Sequence, residues 1–156
     1  RAPARAQSSA DVTAGARVFL SFSSKDAAAA DRIVAAFAAG APEVRVFDFR
    51  RDIEIGVAYQ REVDAALKRS DRALCLVSPD YMASGECLEE LMVARLRNKR
   101  SGFGFLWPVY WRNVPDGLEE WIQILNYADC RECDSVRLET AVRALAAQLA
   151  SRQGVR

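Results

Sequence analysis

The chain contains no histidine. That absence removes imidazole as a general base, a Ser-His-Asp triad and any histidine-bearing zinc site. Lysine is scarce, at Lys25, Lys68 and Lys99, so the 22 basic residues are almost all arginine; 21 acidic residues leave a net charge of +1. Such a balance gives no electrostatic reason to expect nucleic acid or an acidic surface as partner. No apolar run approaches the roughly 18 residues of a membrane span. The stretch RAPARAQSSADVTAG has no apolar signal-peptide core. Residues 1–16 are small and polar and are expected to form a flexible segment; starting at Arg1 and not at methionine, the chain is expected to belong to a longer protein with further domains. The eight glycines form neither GxGxxG nor GxxxxGK[ST], which excludes a dinucleotide fingerprint and a P-loop; the turn after the first expected strand reads SFSSKD at Ser21–Asp26. A phosphoacceptor aspartate is also missing where the third strand ends, at Val77-Ser78.

The four cysteines do not demand an oxidising compartment, and the cytoplasm is the default expectation. Cys75 and Cys87 fall on apolar faces and read as small core residues. Cys130 and Cys133 form a single CxxC with no second pair, so no metal site is expected.

What is present is an ordinary globular composition, 51% hydrophobic and 28% charged over 156 residues. That is enough for one domain with a substantial core. Strands are expected at Arg17–Phe22, Val44–Phe47, Arg72–Val77 and Phe103–Tyr110, with a short last one at Leu125–Ala128. Helical spacing appears over Lys25–Ala39, with Ser24 or Asp26 as cap, and over Val57–Arg69, Ser84–Arg97, Leu118–Ile124 and Ser135–Ser151. Phe49–Gly56 reads as a charged loop. Strands alternating with helices predict a doubly wound α/β domain over residues 17–151, its parallel sheet covered on both faces, with 152–156 as a tail.

SPDYMASGECLEEL, at Ser78–Leu91, follows a buried-strand pattern and brings carboxylates to the first turns of a helix at the carboxyl edge of the sheet, where open α/β folds bind ligands. Acidic residues at a helix start also complement the helix dipole, without any function. Yet Glu86, Glu89 and Glu90 have no basic residue three or four positions on. Glu86 and Glu90 lie one above the other, and their repulsion on a partly buried face should raise the proton affinity of one of them.

These segments together resemble the TIR (Toll/interleukin-1 receptor) family, of the bacterial kind, over about residues 16–150. RVFLSFSSKD resembles the family's first-strand motif of aromatic, aliphatic, serine, aromatic. FDFRRDIEIG, at Phe47–Gly56, is similar to the loop after the second strand, often D-R-D-I-x-P-G, with Ile55 at the usual proline. LCLVSPDYMASGECLEEL resembles S-P-x-Y-x-x-S-x-W-C-x-x-E-L, and FLWPVYW, at Phe105–Trp111, the fourth strand. The resemblance implies a flavodoxin-like fold of five parallel strands in the order 2-1-3-4-5. Many bacterial, plant and some animal members cleave NAD+ at the nicotinamide–ribose bond; others are non-catalytic, self-associating adaptors.

By resemblance Glu90 occupies the position of the family's catalytic glutamate, while Glu86 stands where an aromatic is usual. Phe22, Phe49 or Tyr81 would then take over stacking on a ring; Ser23 and Ser24 would hydrogen-bond ribose or phosphate, and Arg50 or Arg51 would meet the pyrophosphate. The segment Phe49–Val57, with Ile55 and Gly56, would serve as interface and lid in an assembly where one subunit completes its neighbour's site. The expectation is an NAD+ glycohydrolase active on self-association, in bacterial immune defence or cell death. NAD+ is then substrate, no cofactor is called for, and ADP-ribose or a cyclic variant is the product. A non-catalytic scaffold is the alternative.

Overall fold

The computed structural model describes residues 15–52, 58–102 and 104–154. Within them, β1 (Arg17–Ser21), β2 (Arg45–Phe47), β3 (Arg72–Val77), β4 (Leu106–Tyr110) and β5 (Ala128–Asp129) form one sheet in the order β2-β1-β3-β4-β5. Every pairing is parallel. The helices are α1 (Ala27–Gly40, preceded by a 3-10 turn at Ser24–Asp26), α2 (Phe49–Asp52), α3 (Tyr59–Arg69), α4 (Pro79–Met82), α5 (Gly85–Arg100), α6 (Glu120–Gln123) and α7 (Ser135–Gly154). This is the flavodoxin-like order expected from the resemblance.

Alternation along the strands creates two cores, because successive side chains leave a strand on opposite faces. Val18, Leu20, Leu74, Leu76 and Val109 pack under α1 and α7 with Ile33, Phe37, Leu138 and Leu145. Phe19, Ala73, Cys75, Val77 and Tyr110 pack under α3 and α5 with Val63, Leu67, Leu91 and Ala94. All six residues of β3 are buried, as a central strand covered on both faces requires.

Side chains close the joints between layers. Asn98 Oδ1 accepts from the N–H groups of Phe105 (3.0 Å) and Leu106 (2.9 Å), fixing the entry to β4. Arg97, near the end of α5, donates to the carbonyls of Leu67 (2.7 Å), Lys68 (3.1 Å) and Ser70 (2.6 Å). Those carbonyls belong to the end of α3, where a helix leaves acceptors unpaired and favours a cation. At the amino edge, a Cβ on Gly15 would collide with the Glu43 carbonyl, so only glycine fits there without displacement.

Several local expectations are corrected. The charged loop expected from Phe49 begins with a helical turn, α2, held where Asp48 Oδ1 accepts from the Arg50 N–H at 3.0 Å. Ser23, and neither Ser24 nor Asp26, caps the first helical segment, by accepting from the Lys25 N–H. The last strand is shifted to Ala128–Asp129, and α4 forms an extra helical turn before α5. The C-terminal helix, expected at Ser135–Ser151, runs to Gly154.

Candidate functional site

β1 and β3 are neighbours in the sheet but their connections leave in opposite directions, which opens a crevice at their carboxyl ends. A cleft of about 580 Å³ lies there, lined by Phe22, Ser23, Ser24 and Lys25 after β1, by Phe49 and Tyr59 from the β2 side, and by Asp80, Ala83, Ser84, Glu86, Cys87 and Glu90 after β3. Two side-chain caps shape its β3 wall. Ser78 accepts from the Tyr81 N–H (3.1 Å) and starts α4; Ser84 accepts from the Cys87 N–H (3.3 Å) and starts α5. One turn into α5, Glu90 meets the end of β1.

Glu90 Oε1 accepts a hydrogen bond from Ser21 Oγ at 2.9 Å, and Ser21 Oγ lies 2.8 Å from the Tyr81 hydroxyl. Burial, opposed by the Ser21 hydrogen bond and reinforced by Glu86, Asp64 and Glu89, pushes the Glu90 carboxyl up to about 7. The sequence anticipated repulsion from Glu86 as the cause; removal from water is the larger one. Glu86 itself is exposed at the cleft. Among the described residues no cation contacts Glu90.

The aromatic wall runs opposite Glu90. Phe22 and Phe49 stack at 5.1 Å, and Tyr59 meets Phe49 edge-on at 6.1 Å. The Tyr59 hydroxyl is pushed up to about 12 by burial and by Glu90 and Glu86, so it remains a neutral donor. Tyr59 was not singled out in the sequence; its position at the start of α3, beside Phe49, becomes visible only in the fold.

Phe22, Ser23, Ser24, Glu86 and Glu90 thus come together as expected, and Phe49 joins them. Tyr81 does not. It is fully buried beneath the cleft, and no face of its ring is open to a ligand. Arg50 does not line the cleft either: its guanidinium lies over Phe22 at 4.8 Å and is held by Asp48 (2.6 Å) and Asp31 (2.9 Å). Lys25, exposed and 3.5 Å from Asp80, is the basic side chain at the cleft wall. Ile55, Gly56 and the Arg51 side chain lie outside the described residues.

A second polar cluster stands beside the cleft. Ser78 Oγ donates to Asp26 Oδ2 at 2.6 Å. Arg112, after β4, donates to Asp26 Oδ1 (2.9 Å) and Asp80 Oδ2 (2.5 Å). This ties the turns after β1, β3 and β4 together. Arg112 and Asp80 hold each other charged: the guanidinium is raised by its hydrogen bonds to Asp26 and Asp80, and the Asp80 carboxyl is lowered by its bond to Arg112. Burial pushes the Cys75 thiol up to about 12 and those of Cys87 and Cys130 to about 11, which leaves none of the three as a ready nucleophile. Among the described residues no group of three or more His, Cys, Asp or Glu is placed to hold a metal, and no helix is long and apolar enough to cross a membrane.

The chain is similar in structure to the TIR domain of the Toll-related receptor TRR-2 from Hydra magnipapillata, with a TM-score of 0.65 at 16% identity over 85% of this chain and 97% of that one. A metazoan TIR-STING receptor from C. gigas, solved with 2',3'-cGAMP, aligns at TM-score 0.61 and 19% identity over 81% of this chain and 39% of its own. The TIR domains of the activated Roq1 resistosome, which directly recognises the pathogen effector XopQ, align at a TM-score of 0.53 and 22% identity over 85% of this chain and 84% of that one. No curated protein sequence matches the chain. At these identities the structural likeness speaks for the fold; the family rests on the sequence model of the TIR domain, which matches residues 18–146. The chain therefore belongs to the TIR domain family.

Proposed function

We propose that this domain is an NAD+ glycohydrolase, active when self-associated, and that it serves bacterial immune defence or cell death. The observation that supports this most is Glu90: a carboxylate at the family's catalytic position, facing a cleft with an aromatic wall opposite and, among the described residues, no cation upon it. Nicotinamide is a cationic leaving group. When its bond to ribose C1′ breaks, the electron pair goes to the ring nitrogen and nicotinamide departs neutral, so no general acid is required. An ionised Glu90 would stabilise the positive charge that develops at C1′. Water attack at C1′ with loss of a proton gives ADP-ribose, and an internal nucleophile gives a cyclic product.

In this reading Phe49 and Tyr59 take the place of the aromatic replaced by Glu86 and stack on a planar ring. The Ser23 and Ser24 hydroxyls reach ribose or phosphate, and Lys25, rather than Arg50, meets the pyrophosphate.

Exposed Glu86 favours a second reading, a non-catalytic scaffold that assembles signalling complexes through TIR contacts. Nicotinamide release from NAD+ by the protein fused to a clustering tag decides between them. Release that falls at least about a hundredfold in Glu90→Ala is the expected result, in line with removing one stabiliser of transition-state charge. Release that survives the substitution overturns the mechanism. No release from the clustered wild type favours the scaffold.

A further inference from the structure

We propose that Ser21 and Tyr81 are positioning residues of this site: a one-way chain of hydrogen bonds, Tyr81 hydroxyl to Ser21 Oγ to Glu90 Oε1, holds the carboxylate in one orientation and favours its ionised form against burial, with Oε2 left for the substrate. The proposal rests on Glu90 facing the substrate and adds the machinery that prepares it.

The direction of the chain follows from proton counting. An ionised carboxylate only accepts, so the single Ser21 proton points to Glu90 across 2.9 Å. Ser21 Oγ then has no proton for Tyr81, and the phenol donates to it across 2.8 Å. The Cys75 thiol beneath them interacts with both Tyr81 and Ser21 and, raised by burial, remains protonated. If Glu90 took up a proton and the chain reversed, the Tyr81 proton would have to end on the Cys75 sulfur, a weak acceptor. A proton on Oε2 would leave the direction of the chain unchanged, but the neutral carbonyl oxygen at Oε1 would accept from Ser21 less strongly than the carboxylate does. Among the described residues Glu90 Oε2 accepts no hydrogen bond.

The surroundings make the chain necessary. Glu90 faces Glu86, Glu89 and Cys87 on its own helix, Asp64 and Tyr59 on α3, and Cys75 and Tyr81 beneath it. All are acidic or neutral. Among the described residues lining the cleft the basic one is Lys25, which is paired with Asp80. With no cation among the described residues to hold the charge, neutral donors are the means they offer to favour the anion. Ser21 and Tyr81 are both buried, which keeps water from replacing either link.

The test is the titration of the Glu90 carboxyl, followed by carbon-13 NMR in wild type, Ser21→Ala, Tyr81→Phe and Ser21→Thr. Loss of the Ser21 donor is expected to favour the protonated form about tenfold and move the midpoint upward. Tyr81→Phe moves it the same way by less, and Ser21→Thr, which keeps a hydroxyl, stays near wild type. Midpoints unchanged in both Ser21→Ala and Tyr81→Phe would overturn the proposal. If the alanine variant fails to fold, Tyr81→Phe, which removes one oxygen atom, decides alone. Nicotinamide release by the clustered protein is the second readout: the rise of kcat with pH should move upward in the same order, with KM little changed. Absent turnover in wild type would sink the NAD+ reading only, leaving the titration to decide on the chain. Turnover whose pH profile is identical in all four proteins would sink the chain only.

Discussion

Two carboxylate–serine pairs stand side by side at the carboxyl edge of this sheet, and they have opposite fates. Asp26 accepts from Ser78 and is clamped by Arg112, which also holds Asp80. Glu90 accepts from Ser21 and, among the described residues, has only acidic and neutral groups around it. The first pair is neutralised and fastens three turns into one piece. The second is left with an uncompensated charge beside open space. A carboxylate raised by burial at the edge of a cleft is a candidate for chemistry rather than architecture.

The comparison can be broken most forcefully from the compensated side. Arg112→Ala strips the cation from buried Asp26. It should destabilise the domain by about 1–3 kcal/mol in chemical denaturation, the cost of leaving a buried acceptor without its partner. A loss below about 1 kcal/mol, the range of an exposed pair, would show that water serves Asp26 as well as Arg112 does.

From the other side the sign reverses. With its folded midpoint raised to about 7 from 4.5, Glu90 binds a proton more tightly in the folded chain than in the unfolded one. Its presence is harmless to stability below the unfolded midpoint and becomes costly as pH rises through about 7. Glu90→Gln should therefore stabilise the domain by up to about 3 kcal/mol at alkaline pH and by almost nothing at acidic pH, while nicotinamide release is lost. Equal stability of the two proteins across the pH range would show that the carboxylate is already solvated. The smallest effect sharpens the picture: Glu86→Gln should lower the Glu90 midpoint, by less than Ser21→Ala raises it, because Glu86 is exposed and screened by water. An upward shift would contradict the repulsion between them.

These two pairs also show where sequence reading succeeds. Resemblance to the C-x-x-E-L motif picked out Glu90, whereas Ser21, which alternation in RVFLSF places on the face opposite Val18, Leu20 and Phe22, was passed over in favour of Ser23 and Ser24. Arg112 and Asp26 are 86 residues apart, and no local pattern links them. Tyr81 sits in a four-residue helix, too short for periodicity to reveal that the Ser78 cap turns its ring inward. Arg50 looked available although Asp48 stands two residues away, and its second counter-charge, Asp31, reaches it only in the fold. Charge type could be read from the chain; charge pairing needed the fold.

Arg97 gives the cleft a mechanical character. By gathering three carbonyls at the far end of α3, it pins that helix to α5 at the end away from Tyr59 and Glu90. The two helices are thus joined like the legs of tweezers, closed at one end. A widening between Tyr59 and Glu90 that keeps these three hydrogen bonds would pivot near Arg97, some distance from any substrate lying between the jaws.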